Sequence, residues 1–174
     1  MALIFLLPQG DNAIVVVPGA NGRVGEDAKH MQRILATLPH VQALVLQLEI
    51  PPDTVGKLVA AGHQIGIPVV LNLAPAHALP LETLRQLHVL VLNEVEASVL
   101  RDTLTGTSTV SPAPQTLQEA SQLAVKLHEL GIPRVVITLG AQGALLAHKD
   151  ETGESEVLHQ KPPRIQVVDT TAAG

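Results

Sequence analysis

Two stretches of the chain follow one plan. HQIGIPVVLNL at 63–73 and HELGIPRVVITL at 128–139 each pass from a helix end through a glycine and a proline into a short apolar run. A glycine after the last helical turn takes up the left-handed conformation that ends it, and a proline two residues on cannot resume it. The run that follows is continuously apolar rather than alternating, which is the pattern of a strand buried on both faces. Two such passages are two strand–helix–strand crossings built alike, not a solenoid repeat. They predict a mainly parallel sheet covered by helices on both faces.

The remaining segments fit that frame. Ala2 to Leu7 and Ala13 to Val17 are apolar, β-branched runs around a Gly-Asp-Asn turn, and read as a β-hairpin. Val24 to Leu38 has helical apolar spacing at Ala28, Met31, Ile34, Leu35 and Leu38. Further strands are expected at Ala43–Leu48, Pro68–Leu73, Val89–Leu92, Arg134–Leu139 and Ile165–Val168, with a hairpin at Ala144–His148 and Glu156–Gln160. Asp53 is expected to cap the second helix, which Gly66 and Pro68 end. Shorter and longer helices are expected at Leu81–Leu87 and Glu94–Leu104, and Thr116 with Glu119 reads as a capping box for a helix ending at Gly131. The turn-rich TGTSTVSPAPQ separates the last two of these helices.

Composition narrows the function classes. At 174 residues, 46% hydrophobic and 16% charged, the chain has the makings of one globular domain. Phe5 is its single aromatic residue, so ring stacking on a base or sugar is nearly excluded. Without cysteine there is no disulfide or thiolate chemistry, and a reducing cytoplasm is the simplest home. The net charge of −5 and the scattered Lys and Arg argue against a nucleic-acid partner. No apolar stretch approaches the roughly 20 residues of a membrane span. MALIFLLP has a faint likeness to a signal peptide, but lacks a basic start and stops at Pro8.

Ligands of open parallel sheets bind outside the carboxyl ends of the strands. The residues there are Glu49, then Asn72 with APA, then Asn93 with Glu96, then Thr138 with Gly140 and Gly143, and last Asp169 with TTAAG. Each has a structural alternative. Asn93 and Glu96 are spaced as a helix cap and its partner, although a carboxylate and amide in that turn can also hold Mg²⁺. TLGAQG could be a simple tight turn, or backbone amides and a hydroxyl around a phosphate chain. Glu49 could be a solvated loop acid. The eight histidines have no ligand spacing and read as structural or exposed. DTTAAG places a carboxylate before small residues whose N–H groups point at a helix start, the makings of an anion hole. No GxGxxG follows the first strand, which disfavours a nicotinamide-binding Rossmann domain.

In order along the chain, GAN (19–21), LQLE (46–49), NLAPA (72–76), NEVEA (93–97), TLGAQG (138–143) and DTTAAG (169–174) resemble the boxes of the PfkB-type carbohydrate kinases, the ribokinase family. The resemblance implies a three-layer, ribokinase-like α/β fold, incomplete, with a lid-like hairpin at 1–20 and a kinase core at 21–174. It implies ATP-dependent phosphorylation of a sugar hydroxyl, ribose first, with Mg²⁺ and a monovalent cation (K⁺) as cofactors. Glu49 would contact the sugar, and Asn93 the nucleotide phosphates. Glu96 would organise Mg²⁺, and Thr138, Leu139, Gly140, Ala141, Gln142 and Gly143 would line the ATP site. Asp169 and Thr171 would bind the monovalent cation, and Ala172, Ala173 and Gly174 would form the anion hole, Gly174 also touching nucleotide. The hairpin would mediate a homodimer of the parent enzyme.

Leu73, Leu92 and Ala172 replace Pro, Pro and Gly of the family pattern. The family's proton-accepting aspartate would follow Gly174, and the glycine-rich sugar loop and the closing helices are missing. The chain is therefore expected to be part of a longer kinase and inactive alone. A sibling kinase acting on fructose, a ketodeoxy acid or a nucleoside, and a non-catalytic nucleotide-binding or dimerising remnant, are the competing readings.

Overall fold

Four short runs of Leu, Val and Ile form the centre of the molecule: each is too short for a helix of its own and buries one apolar face in the core. The computed structural model of the chain describes residues 2–6, 12–107 and 111–163. In it, β3 (Leu44–Gln47), β4 (Val69–Asn72), β5 (Val89–Asn93) and β6 (Val135–Thr138) pair in parallel in chain order. β7 (Ala144–Lys149) and β8 (Ser155–Gln160) continue the six-stranded sheet as an antiparallel hairpin. β1 (Ala2–Leu6) and β2 (Asn12–Val16) form a separate antiparallel hairpin. The expected strand at 165–168 and the DTTAAG segment lie outside the described residues.

The helices are α1 (Ala28–Thr37), α2 (Pro52–Gln64), α3 (Leu81–Arg85), α4 (Glu94–Thr105) and α5 (Leu117–Glu129). Since the parallel strands add in one direction, right-handed crossovers carry their connecting helices to one face. α2 packs on β3 and β4, α4 on β5 and β6, and α5 on β6 and β7. Under them Leu46, Leu71, Leu90, Val135 and Ala147 stand in one row of register partners, all buried. Each such leucine contributes about 1.5–3 kcal/mol by leaving water. Gly62 of α2 lies tight against the sheet: an added Cβ there would lie 2.7 Å from Val69 Cγ2. The alternate residues face the other side, where Val45 is 70% and Leu158 47% exposed. Among the described residues that face is the less covered one.

Three helix starts differ from the sequence expectation. Val24–Glu26 is a turn rather than helix, and Asp27 caps α1 by accepting the Lys29 N–H at 2.8 Å. The Thr54 hydroxyl, donating to the Val24 carbonyl at 2.8 Å, ties that turn to α2. Asp53 does not cap α2. Pro51 holds the cap position and Pro52 the first turn, where a preset φ and a missing N–H cost nothing, and Asp53 sits inside that turn. The Thr116 box is half made: Thr116 accepts the Glu119 N–H, but the Glu119 carboxylate takes the N–H of Gln115 at 2.8 Å instead of that of Thr116.

Candidate active site

Parallel register decides which residues share the carboxyl rim. Gln47 pairs with Asn72, Asn72 with Val91, and Asn93 with Thr138. Four strands therefore end in Gln47, Asn72, Asn93 and Thr138 on one edge of the sheet. Three strand gaps of about 4.8 Å make that edge about 14 Å wide. Glu49, exposed in the bend after β3, lies at one end of it, and the loop after β6 lies at the other. Between them the turn after β4 runs through a cis Ala74–Pro75 peptide, and the Leu48 N–H donates to the Ala74 carbonyl at 3.0 Å.

Asn93 ends β5 and starts α4 in one step. Its Oδ1 accepts the Glu96 N–H at 2.8 Å, and Glu96 Oε2 accepts the Asn93 N–H at 2.8 Å, a complete capping box. The structural alternative for this pair is therefore realised. It does not use up the chemistry. The two bonds occupy Oδ1 and Oε2 and leave Glu96 Oε1 and Asn93 Nδ2 outside the cap. Burial lifts the Glu96 carboxyl above its usual range, opposed in part by the Asn93 N–H. A half-buried carboxylate at a strand end, with one oxygen outside the cap, fits a hard divalent cation. No group of three or more His, Cys, Asp or Glu that could hold a metal occurs among the described residues. Magnesium commonly needs only one or two carboxylates, with phosphate and water completing its shell.

The loop after β6 is a single 3-10 turn, Gly140–Gln142. Thr138 points its hydroxyl to the Leu92 carbonyl at 3.3 Å, and Leu139 is buried in the core, so Leu139 can offer a ligand only its backbone. The turn closes through Leu139 N–H to Gly143 O (2.7 Å), Gln142 N–H to Leu139 O (2.9 Å) and Gly143 N–H to Gly140 O (3.1 Å). These bonds use the amides of Leu139, Gln142 and Gly143 rather than those of Gly140 and Ala141. Gly140 (φ 51) and Gly143 (φ 94) occupy the left-handed side that other residues rarely adopt.

The rim thus brings together Asn93, Glu96 and Thr138–Gly143, with Glu49 two strand gaps from Asn93 and three from Thr138. Asp169, Thr171, Ala172, Ala173 and Gly174 lie outside the described residues. One concavity of about 820 Å³ lies elsewhere: Gly19, Ala20, Arg23, Val24, Glu26, Asp27 and His30 line it, and none of the strand-end residues does. His159 was not legible as a site residue. Its Nε2 reaches the Gln142 carbonyl at 2.7 Å from β8, a contact set by sheet register and carried by no motif.

Residues 1–174 match the pattern of the pfkB family carbohydrate kinases, and the chain belongs to that family. It is 34% identical to the ribokinase of Schizosaccharomyces pombe over 100% of the chain and 51% of that protein. Against the Haemophilus influenzae ribokinase the identity is 34%, over 100% of the chain and 52% of the relative. Its fold matches that of Arabidopsis thaliana ribokinase complexed with ribose and ATP, with a TM-score of 0.75 and 31% identity over 99% of this chain and 51% of that one. The Thermotoga maritima ribokinase gives 0.74 and 30%, over 99% and 51%. The chain spans about half the length of the relatives it matches.

Proposed function

We propose that this chain forms the nucleotide-side half of a ribokinase-type enzyme that phosphorylates a sugar hydroxyl with ATP, turning ribose into ribose 5-phosphate. The observation that carries the reading is the register Asn93↔Thr138, which sets the Asn93–Glu96 pair beside the Thr138–Gly143 loop on the carboxyl rim. In this reading the loop amides hold the phosphate chain, Asn93 Nδ2 contacts phosphate oxygen, and Glu96 holds Mg²⁺. The metal's contribution is to neutralise charge on the phosphoryl oxygens. Glu49, at the far end of the rim, contacts the sugar. Asp169 and Thr171 are proposed for K⁺, and Ala172, Ala173 and Gly174 for the donors that stabilise the transferring phosphoryl group. A cytoplasmic location agrees with the lack of cysteine, and among the described residues no helix is long and apolar enough to cross a membrane.

A positioned general base contributes about 10²- to 10⁴-fold. None of residues 1–174 is proposed as that base, so negligible turnover is expected of this stretch alone. An ADP-release assay with Mg²⁺, K⁺ and a panel of ribose, 2-deoxyribose and fructose tests the substrate on the longer parent protein. Ribose preferred by tenfold or more in kcat/KM, roughly 1.4 kcal/mol, supports the reading, and a flat profile counts against it. Deoxyribose belongs in the panel because a deoxyribokinase of Salmonella typhi is 30% identical over the whole chain.

The hairpin favours a second role. Leu3, Ile4, Phe5, Ile14, Val15 and Val16 on its two faces are all 48% or more exposed. A two-stranded ribbon is marginal by itself, and apolar residues on both faces ask for cover. We propose it as a lid over the sugar and the contact between two copies.

A further inference from the structure

β8 lies against the loop after β6, and its register makes two contacts there. Ala144 pairs with Gln160 and Leu145 with His159, so His159 and Gln160 stand beside the start of β7 and hence beside Gly143. His159 Nε2 is 2.7 Å from the Gln142 carbonyl oxygen. A carbonyl only accepts, so Nε2 carries the hydrogen and donates it. At Gly143 the backbone runs so close to β8 that an added Cβ would collide with the Gln160 carbonyl oxygen and come within 3.1 Å of Lys161 Cα.

The Gln142 carbonyl and the Gly143 N–H belong to one planar peptide unit and point in opposite directions. One end is held by His159, and the other donates to Gly140 O at 3.1 Å. Turning this peptide over would break both bonds together. A lone 3-10 turn has little cooperativity of its own, so an outside donor has leverage over its conformation.

We propose that His159 is a positioning residue for the nucleotide: its hydrogen bond locks the Gln142–Gly143 peptide, which in turn fixes where the Gly140 and Ala141 amides point. This rests on the reading of Thr138–Gly143 as the ATP loop. His159 acts through Gln142 and touches no reacting atom.

The test compares wild type, His159→Ala and His159→Gln by ¹⁵N spectra, melting, and titration with ATP plus Mg²⁺. Net loss of one hydrogen bond corresponds to a roughly 3- to 10-fold weaker affinity for the alanine variant. Because His159 is exposed, its melting temperature is expected to stay within about 2 °C of wild type. The glutamine variant, whose amide reaches the same place, is expected to return affinity to within about twofold. Normal affinity in His159→Ala with unchanged Gln142 and Gly143 amides overturns the proposal. So does a joint loss of melting temperature and affinity that glutamine does not rescue. If the wild-type amides of 139–143 ignore ATP, the loop reading itself fails and takes the proposal with it. If they respond and the alanine variant matches wild type, only the role of His159 falls.

Discussion

Replacing Glu96 by Gln separates two roles that one side chain can hold. As a cap partner, Glu96 accepts the Asn93 N–H at 2.8 Å, and Gln keeps an acceptor in that place. As a metal ligand it must carry charge, which Gln removes. Burial has raised the carboxyl above its usual value of 4.5, so in the folded chain the charged form costs more in desolvation than the Asn93 N–H returns. A raised folded pKa gives stability that is fully present below the unfolded value and lost as pH rises through the folded one. As pH rises through the folded value wild type loses that share, and the Gln variant has none to lose. Against this stands the favourable charge at the α4 N-terminus, about 0.3–1 kcal/mol where exposed.

The two effects oppose, so Glu96→Gln is expected to alter stability at pH 7 by no more than about 0.5 kcal/mol. Asn93→Ala removes the cap itself and is expected to cost about 1 kcal/mol. Binding of ATP with Mg²⁺ should separate the variants in the other order. Losing a charge-assisted contact of about 1.5–3 kcal/mol weakens affinity about 10- to 150-fold in Glu96→Gln. Urea unfolding and calorimetric titration with and without Mg²⁺ measure both quantities. A Gln variant as destabilised as Asn93→Ala, with undiminished Mg²⁺-dependent affinity, would show that Glu96 only caps and refute the argument.

Other perturbations probe the frame around the site. Gly62→Ala sets a helix-propensity gain of about 1 kcal/mol against overpacking on Val69, about 1–3 kcal/mol. With the clash at 2.7 Å the packing term should win, and a net gain in urea midpoint would contradict the close α2–sheet contact. Asp102 accepts from Arg101 Nε at 2.9 Å and from Ser111 N and Oγ at 2.6 and 3.0 Å; Arg101 first, then Ser111, hold its carboxyl below the usual range. A lowered folded pKa gives stability present above the unfolded value and lost as pH falls through the folded one. Asp102→Asn should therefore be less stable at neutral pH, with a flatter acid limb in melting temperature, and an unchanged acid limb would dismiss that anchor. Phe5→Ser with Val16→Ser should shift sedimentation from dimer to monomer if the hairpin joins two copies, and an unaltered profile would remove it from the interface.

The parallel core was legible because glycine, proline and uninterrupted aliphatic runs are local signals, and each marks a strand start or helix end. The rim was legible for the same reason: a polar residue closing such a run has to fall at its carboxyl end, as Asn93 and Thr138 do. What escaped depends on contacts between distant residues. The turn at Val24–Glu26 is held by Thr54, 30 positions away, so its helical spacing misleads. Asp53 looks like a cap by type, but the two prolines before it settle the helix start first. Glu119 has the spacing of a capping box and spends its carboxylate one residue earlier, on Gln115. In sequence His159 looks like the other histidines, since nothing near it announces a bond to Gln142 across the sheet.

In the proposed enzyme the carboxyl ends of the parallel strands form a mouth for nucleotide and metal. Crystals of the longer parent protein grown with ATP and Mg²⁺ test it directly. We predict phosphate density against the amides of Gly140 and Ala141 and a metal within about 2.1 Å of a Glu96 oxygen or of its bound water. Nucleotide density at the opposite, amino-terminal edge of the sheet, with the rim bare, would contradict the account.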